Sequence, residues 1–327
     1  SINKKEEVTI MNDVITSYNN EKPDLSDMPS LSKSAKLVLL NISCWTARKK
    51  DRGVTEEVAI NKSADTQAVS VNKNLMSTSV ELTELKKHVA LWRKAHARLT
   101  GPWMGTGYCF IPNAAWMMKY QKEMSTFSNK YDSLLAAFLS KYEQDRITSM
   151  AAQGNMADLS DYPDAMTLRN KFGWSLTYHP VSDAGDSFLD DLEDDQRAYM
   201  EEQLGDTMQG QHDKFIQSAL EGMVNNIWTR LYDNLKTLSS NLSVKEDGTP
   251  SKMYDSVFNT TVELVNMMRE FNVTGNPQLD AMRQELESAL AGVSVEGIKH
   301  NITLREVTKG KVDSVKSKIE ALPSLDL

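Results

Sequence analysis

Hydrophobic positions along this chain recur mostly with the period of a helix. After Pro112, the residues Trp116, Tyr120, Met124, Phe127, Tyr131, Leu135, Phe138 and Tyr142 follow one another three or four positions apart. That spacing lays one apolar stripe along a helix. No Gly or Pro interrupts it before Gly154, so the pattern predicts one helix of ~35 residues, roughly 50 Å long. Asn113 is placed to cap it. Leu82, Leu85, Val89 and Trp92 mark a second helix, from near Ser79 to about Leu99. Leu204, Met208, Phe215, Ala219, Met223, Ile227, Leu231, Leu235, Leu238 and Leu242 predict a third long helical region over 187–242, with Gly205 and Gly210 as candidate kinks. Shorter helices are expected near 55–64, at 250–271, from Asn276-Pro277 to near Gly292, and over 303–321 before Pro323.

Three stretches read as strands instead. Residues 35–47 are apolar and β-branched, Tyr108–Ile111 is short and apolar, and Phe172–His179 alternates Trp174, Leu176 and Tyr178 on one face before Pro180. Pairing the last with Tyr108–Ile111, and with 37–45, gives a small sheet. The expected fold is mainly α (α+β): two long helices forming an antiparallel backbone, with a small β-sheet. Residues 1–30, polar and broken by Pro23 and Pro29, read as an arm and linker.

Composition agrees with long helices. The 327 residues include only 9 Pro and 15 Gly but 17 Met, a side chain suited to irregular helix packing. Cys44 and Cys109 both sit in apolar surroundings and read as free thiols. The first residues lack an apolar signal region, and apolar runs such as Leu37–Leu40 are far short of a membrane span. The expectation is a soluble protein in the cytoplasm.

Charge divides the chain. The formal net charge is −8, yet residues 31–122 carry 15 Lys and Arg against 6 Asp and Glu. The resulting segments are an arm and linker at 1–30, a basic α+β region with a long helix at 31–182, and an acidic helical region at 183–327. One positive region in an acidic protein is where a polyanion would go.

No catalytic or cofactor signature accompanies it. Paired Cys-x-x-Cys, His-Glu-x-x-His, Walker and Gly-x-Ser-x-Gly motifs are all absent. Gly101-Pro-Trp-Met-Gly105-Thr-Gly107 lacks a phosphate-reaching Lys and leads into a strand, so it reads as a structural turn. His88 and His96 lie eight apart on one helix, too far to chelate one ion, and His179, His212 and His300 have only weak acidic companions. The acidic run Asp183–Asp195 fails as a calcium loop and works as a helix start, or as an electrostatic contact. No cofactor, no metal and no enzymatic activity are expected.

The basic region has two readings. Lys86, Lys87, Arg93, Lys94 and Arg98 lie off the apolar stripe of the 79–99 helix, as on any solvated face. Arg48, Lys49, Lys50 and Arg52 form a separate basic turn, and Trp103 sits in the Gly-rich loop. Together, cations that neutralise phosphates and an exposed aromatic that stacks on a base make a nucleic-acid surface.

Three segments carry a resemblance: Leu39–Lys50, Gly107–Pro112 before the long helix, and Phe172–Tyr178. In that order they resemble an uncharacterised family, known only as a domain of unknown function, carried by bacteriophages and large plasmids. The similarity covers roughly 30–180. Family members tend to be encoded near MoxR-type AAA ATPases, VWA-domain proteins and recombination genes. The resemblance implies a phage or mobile-element accessory protein in a bacterial host. It implies no catalytic residues. The expected function is therefore non-enzymatic binding, with nucleic acid the leading partner. The alternative is an oligomeric adaptor or scaffold for an AAA ATPase–VWA complex, or a structural assembly protein. Self-association is expected from the long striped helices.

Overall fold

The computed structural model describes residues 31–182, 199, 206–273, 275 and 277–321. The expected arm at 1–30, the acidic run at 183–195, and Leu204, Gly205, Asn276 and Pro323 lie outside these residues. The fold is mainly α with a small antiparallel sheet, as the periodicity predicts. In chain order the elements begin with α1 (Leu31–Ser34), β1 (Lys36–Ser43), β2 (Arg48–Lys50), α2 (Arg52–Asn61), β3 (Asn72–Asn74) and α3 (Val80–Leu99). Next come β4 (Gly101–Pro102), β5 (Cys109–Ile111), α4 (Ala114–Gln153), α5 (Ala165–Arg169) and β6 (Gly173–Pro180). The last five are α6 (Asp206–Leu242), α7 (Asp255–Phe271), α8 (Pro277–Leu290), α9 (Val295–His300) and α10 (Ile302–Glu320).

By packing, the chain divides into two compact units that interleave in sequence. One, the ribbon unit, comprises Leu39–Arg98 and Met118–Thr177. The other, the bundle unit, takes the described residues up to Val38, Leu99–Met117, and those from Tyr178 onward.

In the ribbon unit, α3 and α4 run antiparallel, because their partners pair in opposite directions along the chain. His96 Nδ1 meets the Tyr120 hydroxyl at 2.8 Å, Trp92 Nε1 donates to Met124 Sδ at 3.2 Å, and His88 Nε2 meets Phe127 O at 2.8 Å. The apolar stripe on α3 is buried throughout. Trp92 is the hub, fully buried and ringed by Phe127, Tyr131 and Trp174 at centroid distances of 6.3, 5.9 and 5.5 Å. Truncating such a residue to Ala costs about 3–5 kcal/mol.

Asn113 caps α4 as expected, accepting from Trp116 N at 2.9 Å. The helix is 40 residues long, about 60 Å.

The sheet order is β4-β5-β1-β6. In the bundle unit, Lys36, Leu37 and Val38 of β1 face Ile111, Phe110 and Cys109 of β5, and Gly101 and Pro102 of β4 face Phe110 and Cys109. The strand at 173–180 therefore lies beside β1, not β5, since β1 occupies the position between them. Its alternating aromatics form no buried face either: Trp174 and Tyr178 are each 40% exposed, because β6 is the edge strand.

Gly101 sits where backbone meets helix. A Cβ there would come within 2.5 Å of the buried Met223 side chain on α6.

The bundle unit is built from α6 to α10. The stripe from Ala219 to Leu242 is buried as expected, but Phe215 is 43% exposed and Ile216 takes its place in the core. Gly210 does not break α6. Thr261 Oγ1 donates to Asn234 Oδ1 at 2.6 Å, tying α7 to α6. Tyr232–Glu320 and Ser239–Asp313 hydrogen bonds at 2.8 and 2.5 Å tie α10 to it antiparallel. No helix among the described residues is long and apolar enough to cross a membrane.

Candidate nucleic-acid interface

The expected basic turn at 48–53 is not a turn. Arg48, Lys49 and Lys50 form β2, an antiparallel partner of β3, with Arg48 opposite Asn74, Lys49 opposite Lys73 and Lys50 opposite Asn72. A sharp turn at Ala47 (φ 52°) precedes it, and Asp51 ends it by capping α2, accepting from Val54 N at 3.1 Å. Strand alternation then sorts the side chains into two faces. Lys49 and Lys73 share one; Arg48, Lys50, Asn72 and Asn74 share the other.

Two like charges directly opposite each other would repel. Asp161 resolves this by bridging them, at 2.8 Å from Lys49 Nζ and 2.5 Å from Lys73 Nζ. Lys73 is buried and also reaches Met156 O at 3.1 Å and Asp51 at 3.6 Å. Burial works to raise the Asp161 pKa, but hydrogen bonds from Lys49 and Lys73 outweigh it and hold the carboxyl below its ordinary value. The Asp161 hydrogen bond raises that of Lys73. Further bonds fix the ribbon in place: Leu75 N to Ala47 O at 2.8 Å, Tyr162 Oη to Leu75 O at 2.7 Å, and Gln153 Nε2 to Asn74 O at 3.0 Å.

Asp51 and Asp161 are thereby both turned toward Lys73. Arg48 and Lys50 stay exposed with Asn72 and Asn74 beside them, and Arg52 is exposed at the start of α2. Among the described residues none of these three cations has a carboxylate within ion-pair distance.

On α3 the expected cations divide. Lys86 Nζ donates to Thr46 O and Arg93 to Ile42 O, each at 2.7 Å, so together they fasten the end of β1 and the segment after it to the helix. Burial lowers the Lys86 pKa, with Cys44 working against that and Arg48 adding to it. Arg98 pairs with Glu123 on α4. Lys87 meets Glu84 at 3.3 Å, and Lys94 is exposed.

The Trp103 expectation is corrected. The residue is 3% exposed and stacks on Phe110 at 5.4 Å with rings 12° apart. It belongs to the bundle unit and anchors the β4–β5 hairpin, where Met104, Gly105 and Gly107 all adopt positive φ. The Gly-rich segment turns the chain so that Trp103 points into the core.

Cys44 and Cys109 are free and half-buried. Burial raises the Cys44 pKa despite the opposing charges of Lys86 and Arg93, which keeps it a thiol rather than a nucleophilic thiolate. Among the described residues no cluster of His, Cys, Asp or Glu is arranged to hold a metal ion. His96 is driven down to about 4 by burial and stays neutral, bonded to Tyr120.

Asn72, Asn74, Lys73 and Asp161 are the residues that sequence reading missed. No family model, curated protein or solved structure matches this chain.

Proposed function

We propose that this protein binds double-stranded DNA through the exposed face of the β2–β3 ribbon. The observation that carries the reading is the cross-strand register, which sets Arg48 and Lys50 beside Asn74 and Asn72 on one solvent-facing surface. A two-stranded ribbon fits the major groove, where Arg reads guanine and Asn reads adenine, while Lys and neighbouring cations neutralise phosphate. Arg52 on α2, and Lys87 and Lys94 on α3, add backbone contacts. Lys49, Lys86, Arg93 and Arg98 act in this reading as struts that hold the surface rather than as DNA ligands.

A DNA-binding role suits the phage or mobile-element setting that the resemblance implies. Binding of a labelled duplex at low salt tests it. The wild-type chain is expected to bind, and the Arg48→Ala/Lys50→Ala variant to lose about tenfold in affinity. No binding at low salt overturns the reading. Co-purification of an AAA ATPase or VWA-domain protein without DNA would instead favour the adaptor role.

A further inference from the structure

A cavity of about 400 Å³ opens on the ribbon unit, lined by Tyr131 and Asp132 of α4, Arg169 and Asn170 at the end of α5, and Gly173 and Trp174 at the start of β6. Its volume lies within the range of small-ligand sites. Its chemistry is more specific than its size.

Trp174 is 40% exposed, yet Trp92 packs against it at 5.5 Å with the rings 60° apart, so the indole is braced from the core side. Its Nε1 donates to Asp132 Oδ1 at 3.4 Å. That contact uses the ring's one donor, and among the described residues Asp132 Oδ2 has no hydrogen-bond partner. Tyr131 backs the cavity with its hydroxyl already committed to Ser43 O at 2.9 Å, and burial pushes its pKa up to about 12, so it adds no charge.

Arg169 and Asp132 line the same cavity without pairing, and neither has an oppositely charged partner among the described residues. The site thus offers a braced aromatic platform, a carboxylate acceptor and a guanidinium. A flat ring with a donor edge and an attached phosphate matches all three.

From this we infer that the cavity binds a nucleotide whose base carries an exocyclic amine, with the ring on Trp174, the amine on Asp132 and the phosphate on Arg169. Adenine, cytosine and guanine have that amine; uracil and thymine offer carbonyl oxygens there, which the carboxylate repels. Asn170 adds an amide for the sugar or phosphate. The nucleotide is either free or one unpaired unit of a strand. The inference does not rest on the ribbon face, which uses other residues.

The test follows the indole N–H resonance of Trp174, assigned with Trp174→Phe, during titration of the full chain with CMP, AMP, UMP, ribose 5-phosphate and a single-stranded deoxycytidine decamer. CMP and AMP are expected to shift it saturably below about 1 mM. UMP and ribose 5-phosphate should bind about tenfold more weakly. Asp132→Ala and Arg169→Ala, both at exposed positions, should each abolish saturation, while Arg48→Ala/Lys50→Ala should leave CMP binding intact. Shifts with the decamer alone, lost in the same two variants, identify the strand as the source. No saturable shift with any of these ligands, or shifts indifferent to both substitutions, would overturn the inference.

Discussion

Arg305 in the bundle unit is 1% exposed, and its guanidinium donates to three backbone carbonyls, those of Asn241, Leu242 (at 3.1 Å) and Ser251. Arg48 in the ribbon unit stands on the exposed side of a short strand, with no carboxylate within ion-pair distance among the described residues. The first cation is spent on architecture: it closes the C-terminal end of α6 and the loop leading to α7, whose carbonyls have no helical partners. The second is left over by architecture, since Asp51 and Asp161 both face Lys73. A positive residue count along a sequence does not separate these cases. The partners do.

The largest expected effect falls on the architectural side. Arg305→Met removes three donors from buried carbonyls and should cost about 3 kcal/mol in chemical denaturation. An unchanged midpoint would mean that water replaces those bonds freely. Asp161→Asn comes next, leaving Lys49 and the buried Lys73 opposed across the ribbon, and should cost about 2 kcal/mol. Because the folded carboxyl sits below its ordinary pKa, its contribution is present above the unfolded value and lost as pH falls through the folded one. The Asn variant should therefore lose less stability than the wild type on acidification.

His96 sharpens the same contrast at higher pH. Its folded pKa is depressed from 6.5 to about 4, so protonation favours the unfolded chain and stability is lost as pH falls through that interval. Over the whole interval the loss amounts to about 3 kcal/mol. His96→Gln, which keeps a partner for the Tyr120 hydroxyl, should flatten the slope of stability between those pH values; an unaltered slope assigns it to other groups. The smallest structural effect is expected from Arg48→Ala/Lys50→Ala, whose stability should change by less than about 0.5 kcal/mol. A larger loss would place these cations with Arg305 instead.

Much of the fold was legible in the chain, and the reasons are local. The α3 and α4 stripes, the Asn113 cap and the bounds of α10 follow from periodicity and capping chemistry that act within a few residues. Trp103 and the aromatics of β6 were misplaced because their exposure depends on hairpin geometry and on which strand lies at the sheet edge.

The candidate site was half legible. Charge pointed to 48–52 and to α3, but the register with Asn72–Asn74 and the bridge to Asp161 join residues up to 112 positions apart. A three-residue polar strand carries no hydrophobic pattern to announce it. Nor does a charge count show that Lys86 and Arg93 are occupied by the carbonyls of Thr46 and Ile42.

The most direct test of the central claim, that the ribbon presents unspent cations to DNA, is the salt dependence of duplex binding for the wild type and for Arg48→Ala/Lys50→Ala/Arg52→Ala. Each phosphate contact removed should lower the slope of log K against log salt by about one, so the triple variant, which loses Lys50 and Arg52 from the phosphates and Arg48 from a base edge, should lose about two. Equal slopes for the two proteins, or no binding by the wild type at low salt, would contradict it.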